Sequence, residues 1–306
     1  MSTRLSAVLP DATPDILAAI EAVGMPSFPL KVHGGPIGST EFISRVRGHS
    51  VLISDGTRIA EYMLGQLPEL RAIVFLGTGV DFYIDRAACE SAGIRIEGIS
   101  RYGDRTVAEH ALGLMIAVYR DLGTQQDLMR AGGWGGRPLG ELRGKTLGIV
   151  GLGGVGSELA MIAEAFGMYV ITWSRSEKVQ PFEQVDLKKL LGRSDVVSLH
   201  LAATPETKGL FDAATLGRMK RGAVLINTAR AALVEEAGLI GALQSGQLAG
   251  AGLDVFDDEP PEASAAIRSA PNVVLSCHSG WRSPEAASEL VRRAYERVDV
   301  LLKEFA

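Results

Sequence analysis

The sequence predicts an α/β chain built on doubly wound parallel sheets, and three observations carry that prediction. Short runs of Val, Ile and Leu alternate with longer stretches of helical periodicity, as strands buried between layers of helices require. The alternation runs through the first hundred residues and resumes more clearly from residue 145. There it opens with a glycine-rich turn between an apolar run and a helical one. With 306 residues, 46% of them hydrophobic, the chain is long enough for two domains of ordinary size, each with its own core.

The strand candidates of the first half are LSAVL (5–9), SVLIS (50–54), RAIVFL (71–76) and IRIE (94–97), and all but the last lead through a turn into a helical stretch. A long helical segment from about 105 to 130 follows. Its apolar part, TVAEHALGLMIAVY (106–119), carries Glu109 and His110 and is too short to span a bilayer, so it reads as a buried helix. AGGWGGRPLG then breaks regular structure and marks a domain connection. TLGIV, MYVITW, DVVSLHL, AVLINTA, AGLDVF and NVVLSC supply six further strands, enough for a complete dinucleotide-binding sheet. The closing PEAASELVRRAYERVDVLLKEF is helical with no strand after it, and is expected to pack back on the first domain. The expected division is 1–100 plus 284–306 for one domain and 101–283 for the other.

Charge and cysteine content exclude several classes. The net charge of −5 is spread over mixed acids and bases with no long basic run, which leaves no electrostatic footprint for nucleic acid. Cys89 and Cys277 stand far apart, and MSTRLSAVLPD lacks the apolar stretch of a secretion signal, so a cytoplasmic protein without a membrane partner is expected. His33 and His49 lack metal-type partners at useful spacing, and no Cys/His cluster suggests zinc, so no metal is expected.

The run KTLGIV leads into GLGGVG and then into the helical SELAMIAEAFG, which sets Gly151, Gly153 and Gly156 on a dinucleotide fingerprint, with Gly154 and Val155 inside the turn. The first glycine permits the tight turn, the second lets the backbone approach a pyrophosphate, and the third lets the helix pack close to its strand. The helix N-terminus then faces the anion. A site for NAD usually carries Asp or Glu at the end of the next strand to hold the ribose 2′-hydroxyl. Here MYVITW ends in Ser174, Arg175 and Ser176, a guanidinium and two hydroxyls suited to a 2′-phosphate. NADP is therefore favoured, with NAD possible. The competing reading makes Arg175 a solvated loop cation and the specificity relaxed.

Three later strands each end in a polar group that a strand does not need. LINTAR ends in Arg230, the DDEP turn after AGLDVF carries Glu259, and His278 follows NVVLSC. Ligands of open parallel sheets bind at the carboxyl ends of the strands, so the three could converge on a nicotinamide. Hydride delivery to a carbonyl carbon builds negative charge on oxygen, which an imidazolium at His278 neutralises as general acid. A carboxylate at Glu259 would orient that ring and favour its charged form. The Arg230 guanidinium would bind a substrate carboxylate with two hydrogen bonds. Singly, each has a bland explanation as a surface cation, a solvated loop acid and a buried histidine; their joint placement after the glycine turn favours chemistry. His110, on an apolar helix, reads as structural. His200 ends a strand of the cofactor half and reads as lining the nucleotide cleft. Nothing supports Cys277 as a nucleophile.

The segments ELRGKTLGIVGLGGVG, SLHLAATPETKGLF, LINTARAALVEE, GAGLDVFDDEP and that of His278, with FLGTGVDFYID and TVAEHALGLMIA upstream, resemble the D-isomer-specific 2-hydroxyacid dehydrogenases over nearly the whole chain. The resemblance implies two flavodoxin-like lobes with a cleft between them, a cofactor domain inserted into a substrate domain, and a homodimer formed through the cofactor domains. It also implies hydride transfer between a nicotinamide cofactor and a small 2-keto or 2-hydroxy acid. By motif match Arg230, Glu259 and His278 take the catalytic positions, Arg230 and His278 also meeting the substrate. Backbone groups at Gly77, Thr78 and Gly79 match the loop that receives the substrate carboxylate, and Asp254 the acid near the nicotinamide amide. Val155, Thr207, Thr228 and Ala229 line the cofactor, with His200, Leu201, Ala202 and Gly280 beside them.

Departures from the pattern are Cys277 and Ala202 in place of prolines and Ala231 in place of a glycine. The lost prolines relax backbone constraints near the cofactor. Ser54 stands where phosphoglycerate enzymes tend to carry an arginine, which disfavours a phosphorylated substrate and leaves a glyoxylate- or hydroxypyruvate-type reductase as the expectation. Arg101, Tyr102, Trp281 and Arg282 either shape the pocket or are surface and hinge residues. A nucleotide-sensing corepressor on the same fold is the alternative from another class, since fold alone does not separate the two. A non-carboxylate substrate such as an inorganic phosphorus acid is a third reading.

Overall fold

The computed structural model describes residues 5–136, 138–176 and 180–306. The chain begins with β1 (Ala7–Ala12), α1 (Pro14–Val23), β2 (Leu30–Gly34), α2 (Ser39–Val46), β3 (Val51–Ser54), α3 (Glu61–Leu64), β4 (Ala72–Phe75), α4 (Val80–Tyr83), α5 (Arg86–Ser91) and β5 (Arg95–Gly98). It continues through α6 (Asp104–Tyr119), α7 (Leu122–Arg130), β6 (Thr146–Val150), α8 (Gly154–Ala165), β7 (Tyr169–Trp173), β8 (Glu183–Gln184) and α9 (Leu187–Arg193). Then come β9 (Val196–Leu199), α10 (Ala213–Leu216), β10 (Ala223–Asn227), α11 (Glu236–Gln244), β11 (Leu248–Leu253), β12 (Val273–Leu275) and α12 (Pro284–Phe305). Two compact units result, Met1–Gly103 with Arg282–Ala306, and Asp104–Trp281.

The first unit holds an all-parallel sheet in the order β2-β1-β3-β4-β5, the flavodoxin-like winding. β1, β3 and β4 are buried along their whole length, so their apolar runs are visible in the sequence. β2, LKVHG, is not among the predicted strands. It is an edge strand whose Lys31 is exposed, and an edge tolerates the polar residues that hide a parallel strand from a search for apolar runs. Val8, Phe42, Leu52, Ile73 and Cys89 belong to one continuous core. α12 packs on α1 and against β3 and β4. Pro284 sits in its first turn, and the Ser283 Oγ accepts the Ala286 N–H at 3.1 Å, satisfying a helix-end donor.

The second unit holds a seven-stranded parallel sheet in the order β12-β11-β10-β9-β6-β7-β8, with the winding reversed between β6 and β9 as in dinucleotide-binding sheets. All six predicted strands are present. The seventh, β8, is a two-residue edge piece paired to β7 and too short to have a periodicity. The expected single helical segment from 105 to 130 is two helices, because Asp121 takes a left-handed conformation at φ 51° between α6 and α7. A right-handed helix does not run through such a residue. One core cluster gathers Leu112 and Met115 of α6, Leu159 of α8 and Leu147 and Ile149 of β6. Another gathers Val197, Phe211, Leu225, Leu239 and Leu253. α6 is buried along one face through Ala108, Ala111, Met115 and Val118, while Glu109 stays exposed. Among the described residues no helix is long and apolar enough to cross a membrane, and no group of three His, Cys, Asp or Glu side chains could hold a metal.

Candidate active site

The glycine turn follows β6, at the point where the strand order reverses. Gly151 has φ 103°, and a β-carbon there would lie 2.6 Å from the His200 carbonyl oxygen, so only glycine fits the turn. At Gly156 a β-carbon would overlap the Gly151 carbonyl oxygen; the close packing of α8 on the turn depends on its absence. Gly153 is the opposite case, with no atom within 4 Å of where a side chain would begin. Two of the glycines are thus forced by the protein's own packing, while the middle one leaves open the approach a pyrophosphate would use, with the N-terminus of α8 behind it. Gly154 faces the Asp104 carboxylate, which a side chain at 154 would overlap. These residues fit a dinucleotide.

The next strand, β7, ends in Trp173, and the following turn is tied to itself. The Ser174 hydroxyl donates to the Ser176 carbonyl at 2.7 Å, and the Gln184 amide donates to Ser174 Oγ at 3.3 Å and to Ser176 O at 3.1 Å. The Ser174 proton is therefore already engaged, which narrows the expected set of phosphate donors. Arg175 and Ser176 are exposed, and the Glu206 carboxylate lies near enough to sense the Arg175 charge.

β10, β11 and β12 are neighbouring parallel strands, so the residues that follow them emerge along one edge of the sheet. After β10 the buried Asn227 amide accepts the Ala229 N–H at 3.1 Å and donates to the Arg230 carbonyl at 2.9 Å, which fixes the turn that carries Arg230. The Arg230 guanidinium donates to the Ala229 carbonyl at 2.6 Å. After β11 and β12, Glu259 Oε2 and His278 Nδ1 meet at 2.6 Å, and Glu259 Oε1 accepts the Phe256 N–H at 3.0 Å. Burial is the largest influence on Glu259 and opposes its charge, yet the hydrogen bonds from His278 and Phe256 outweigh it and hold the carboxyl below its usual range. His278 itself has φ 48°, a left-handed conformation uncommon for a side-chain-bearing residue.

Asp254 is almost fully buried at the end of β11. Its carboxylate accepts the Ser276 hydroxyl at 2.6 Å, the Ser279 N–H at 2.9 Å and the Gly280 N–H at 2.8 Å. His110 Nε2 lies 2.8 Å from Ser276 Oγ and 3.3 Å from Asp254 Oδ1. The helix histidine read as structural is therefore wired to the strand ends that carry the candidate chemistry.

Other predicted residues divide by what they already touch. Burial pushes the His200 imidazole down to about 4, so it is neutral at ordinary pH, and its Nε2 meets Ser198 Oγ at 2.8 Å. Thr207 Oγ1 donates to the Ala202 carbonyl at 2.7 Å and accepts the Thr204 N–H at 2.8 Å, which shapes the loop after His200 and Leu201. The buried Thr228 hydroxyl has no hydrogen-bond partner among the described residues and is a ready donor to a ligand at the end of β10. Val155 and Ala229 are partly buried among the core clusters. In the first unit, the Gly77 N–H donates to the Phe75 carbonyl at 2.9 Å, so one of the three amides expected to receive a carboxylate is already bonded. Arg282 pairs with Asp15 at 2.6 Å.

Sequence reasoning did not single out Asn227, Ser276 or Gln184, nor the contacts of His110 with Ser276 and Asp254. Asn227 alone left a signal, as a buried amide inside the apolar run AVLIN.

Residues 112–280 match the NAD-binding domain of the D-isomer specific 2-hydroxyacid dehydrogenases. The chain belongs to that family. It is 37% identical to the glycerate dehydrogenase of Methylorubrum extorquens across 86% of this chain and 85% of that protein. Among solved structures, the TT0316 protein of Thermus thermophilus superposes with a TM-score of 0.86 at 33% identity, covering 98% of this chain and 97% of that one. An acyclic imino acid reductase (Bsp5) in complex with NADPH and D-Arg superposes with a TM-score of 0.84 at 28% identity, covering 98% of each chain. As a member of the family the chain is a 2-hydroxyacid dehydrogenase with a nicotinamide cofactor, acting on a CH–OH group.

Proposed function

We propose that the protein is an NADP(H)-dependent reductase of small, unphosphorylated 2-keto acids of the glyoxylate or hydroxypyruvate type, working through Arg230, Glu259 and His278. The observation that carries this reading is the 2.6 Å bond between Glu259 and His278, which follow strands neighbouring the one that leads to Arg230. When bound, the cofactor supplies a hydride to the carbonyl carbon. His278 gives the proton to the oxygen on which charge develops, from Nε2, because Nδ1 faces Glu259. Glu259 holds the ring by that bond and stabilises its charge, as the carboxylate of a catalytic triad does. Arg230 binds the substrate carboxylate, exchanging its bond to the Ala229 carbonyl for a charge-assisted pair.

NADP over NAD is supported by the residues that directly follow β7, Ser174, Arg175 and Ser176, none of them an acid and Arg175 a guanidinium suited to a 2′-phosphate. The relative bound to NADPH has the same fold. The glycerate dehydrogenase relative fits a substrate that differs from glycerate only in oxidation state. Assembly as a homodimer through the second unit is supported by α7, which buries none of its residues, and by the exposure of Leu122, Met129 and Trp134.

Absorbance at 340 nm with a panel of 2-keto acids, NADPH and NADH offered separately, tests the reading. NADPH oxidation faster than NADH oxidation with glyoxylate or hydroxypyruvate is expected, abolished in His278→Ala while NADPH still binds. Faster use of NADH would overturn the cofactor assignment, and turnover surviving in His278→Ala would overturn the proposed acid.

A further inference from the structure

We propose that His110 is a positioning residue: from α6 it holds, through Ser276 and Asp254, the backbone on which His278 stands. This rests on the reading of His278 as the general acid.

A left-handed backbone at a residue with a side chain persists only where its surroundings hold it. Around His278 the holding is done by one carboxylate. Asp254 takes the hydroxyl of Ser276, two residues before, and the N–H groups of Ser279 and Gly280, the two residues after. The clamp brackets His278 without touching its ring, whose Nδ1 is left to Glu259.

A proton count then fixes the part of His110. The Ser276 hydroxyl has a single proton, and at 2.6 Å from a carboxylate oxygen it points there. The 2.8 Å contact between Ser276 Oγ and His110 Nε2 must therefore be made by a proton on His110 Nε2, donated to the hydroxyl oxygen. The same N–H lies 3.3 Å from Asp254 Oδ1. Ser276 has one alternative acceptor, the Leu253 carbonyl at 3.4 Å. With His110 donating to Ser276 Oγ and lying beside Asp254 Oδ1, the serine and the carboxylate are both held in place; with that donor gone, each loses a neighbouring N–H, and the clamp loosens at its point upstream of His278. The ring also packs on the loop directly, since a β-carbon at Gly280 would lie 2.9 Å from Asp254 Oδ2 and 3.3 Å from His110 Cδ2.

The test compares His110→Phe, which keeps an aromatic ring but has no donor, with His110→Gln, whose side-chain N–H₂ lies at the same remove from the backbone as Nε2. In the full-length protein, His110→Phe is expected to lower kcat about tenfold, the scale of loss when a reacting group is slightly misplaced. KM for the keto acid and the NADPH dissociation constant, read by nucleotide fluorescence, are expected to stay within about twofold. His110→Gln is expected to recover most of the lost kcat. Should His110→Phe fold poorly, Ser276→Ala removes the same relay and is expected to give the same kcat loss. Wild-type kcat in His110→Phe or Ser276→Ala, or a loss that His110→Gln does not recover, would overturn the proposal. His278→Ala measured alongside separates the two readings: turnover surviving there overturns the general-acid assignment, whereas abolished turnover there with wild-type turnover in His110→Phe overturns only the role of His110.

Discussion

A carboxylate 2.6 Å from one ring nitrogen fixes which face a histidine presents and stabilises the charge it takes up. Glu259 does this from a half-buried position in which burial works against its own charge, and hydrogen bonds from His278 and the Phe256 N–H reverse the balance. Glu259→Gln keeps the shape and removes the charge, and is expected to lower kcat about 10²- to 10⁴-fold with a smaller change in KM, the range for disabling a positioned proton-transfer group. Steady-state kinetics on the purified variant measure this. The pH dependence follows from the same group. Its folded value is depressed, so the stabilisation it contributes is complete above the unfolded value of about 4.3 and is lost as pH falls through the lower folded value. The wild-type enzyme is therefore expected to keep its Glu259–His278 pair as pH falls through the ordinary carboxylate range and to lose it only below. As candidates, Arg230, Glu259 and His278 stood out in the sequence because each follows an apolar strand with a charge or a ring. Ser276 did not, since its partner Asp254 becomes a neighbour only when β11 and β12 pair, while Asn227, which fixes its own following turn, shows only as an amide within an apolar run.

Among the elements, three strands of the second sheet are tied together at the end opposite the candidate chemistry. Asp195, just before β9, accepts the Thr146 N–H at 2.8 Å at the start of β6 and the Lys220 ammonium at 2.6 Å ahead of β10. Its backbone bonds Thr146 and Val224 as well. Burial resists its charge most, but the Lys220 and Thr146 bonds prevail and hold it below the usual carboxylate range. Asp195→Ala strips Thr146 of an acceptor and leaves Lys220 unpaired, at an expected cost of about 1–3 kcal/mol. A lower denaturant midpoint with an unchanged m-value and wild-type kcat would mark a purely structural brace; a loss of kcat without loss of stability would contradict that assignment. Legibility at this scale followed the apolar runs. β1, β3, β4 and β10, buried along their length, announced themselves that way. Among the edge strands, β5 and β12 keep short apolar runs and were predicted, while the more polar β2 and the two-residue β8 were not. The break between α6 and α7 turns on the left-handed φ of Asp121, a backbone fact that a side-chain pattern does not encode.

At the scale of the whole chain, the second unit is a single uninterrupted stretch, whereas the first is assembled from two, with α12 supplying Leu290, Val291, Val298 and Leu301 from the far end of the sequence. Both core clusters of the second unit are built only from residues within Asp104–Trp281. The stretch 104–281 produced alone is therefore expected to fold cooperatively, while 1–103 without α12 is expected not to. The glycine turn, Arg175 and Thr228 all lie in 104–281, so the fragment should retain the proposed NADPH binding, and light scattering on it tests whether the α7 face carries the proposed dimer. Ligand at a hundred times its dissociation constant stabilises a fold by about 2.7 kcal/mol. For domains of this size each kcal/mol moves the melting temperature by roughly 2–4 °C, so NADPH should raise the fragment's Tm by about 5–11 °C. A folded fragment whose melting ignored NADPH would remove the glycine turn as the nucleotide site, and an unfolded one would show that the two cores do not suffice without the first unit.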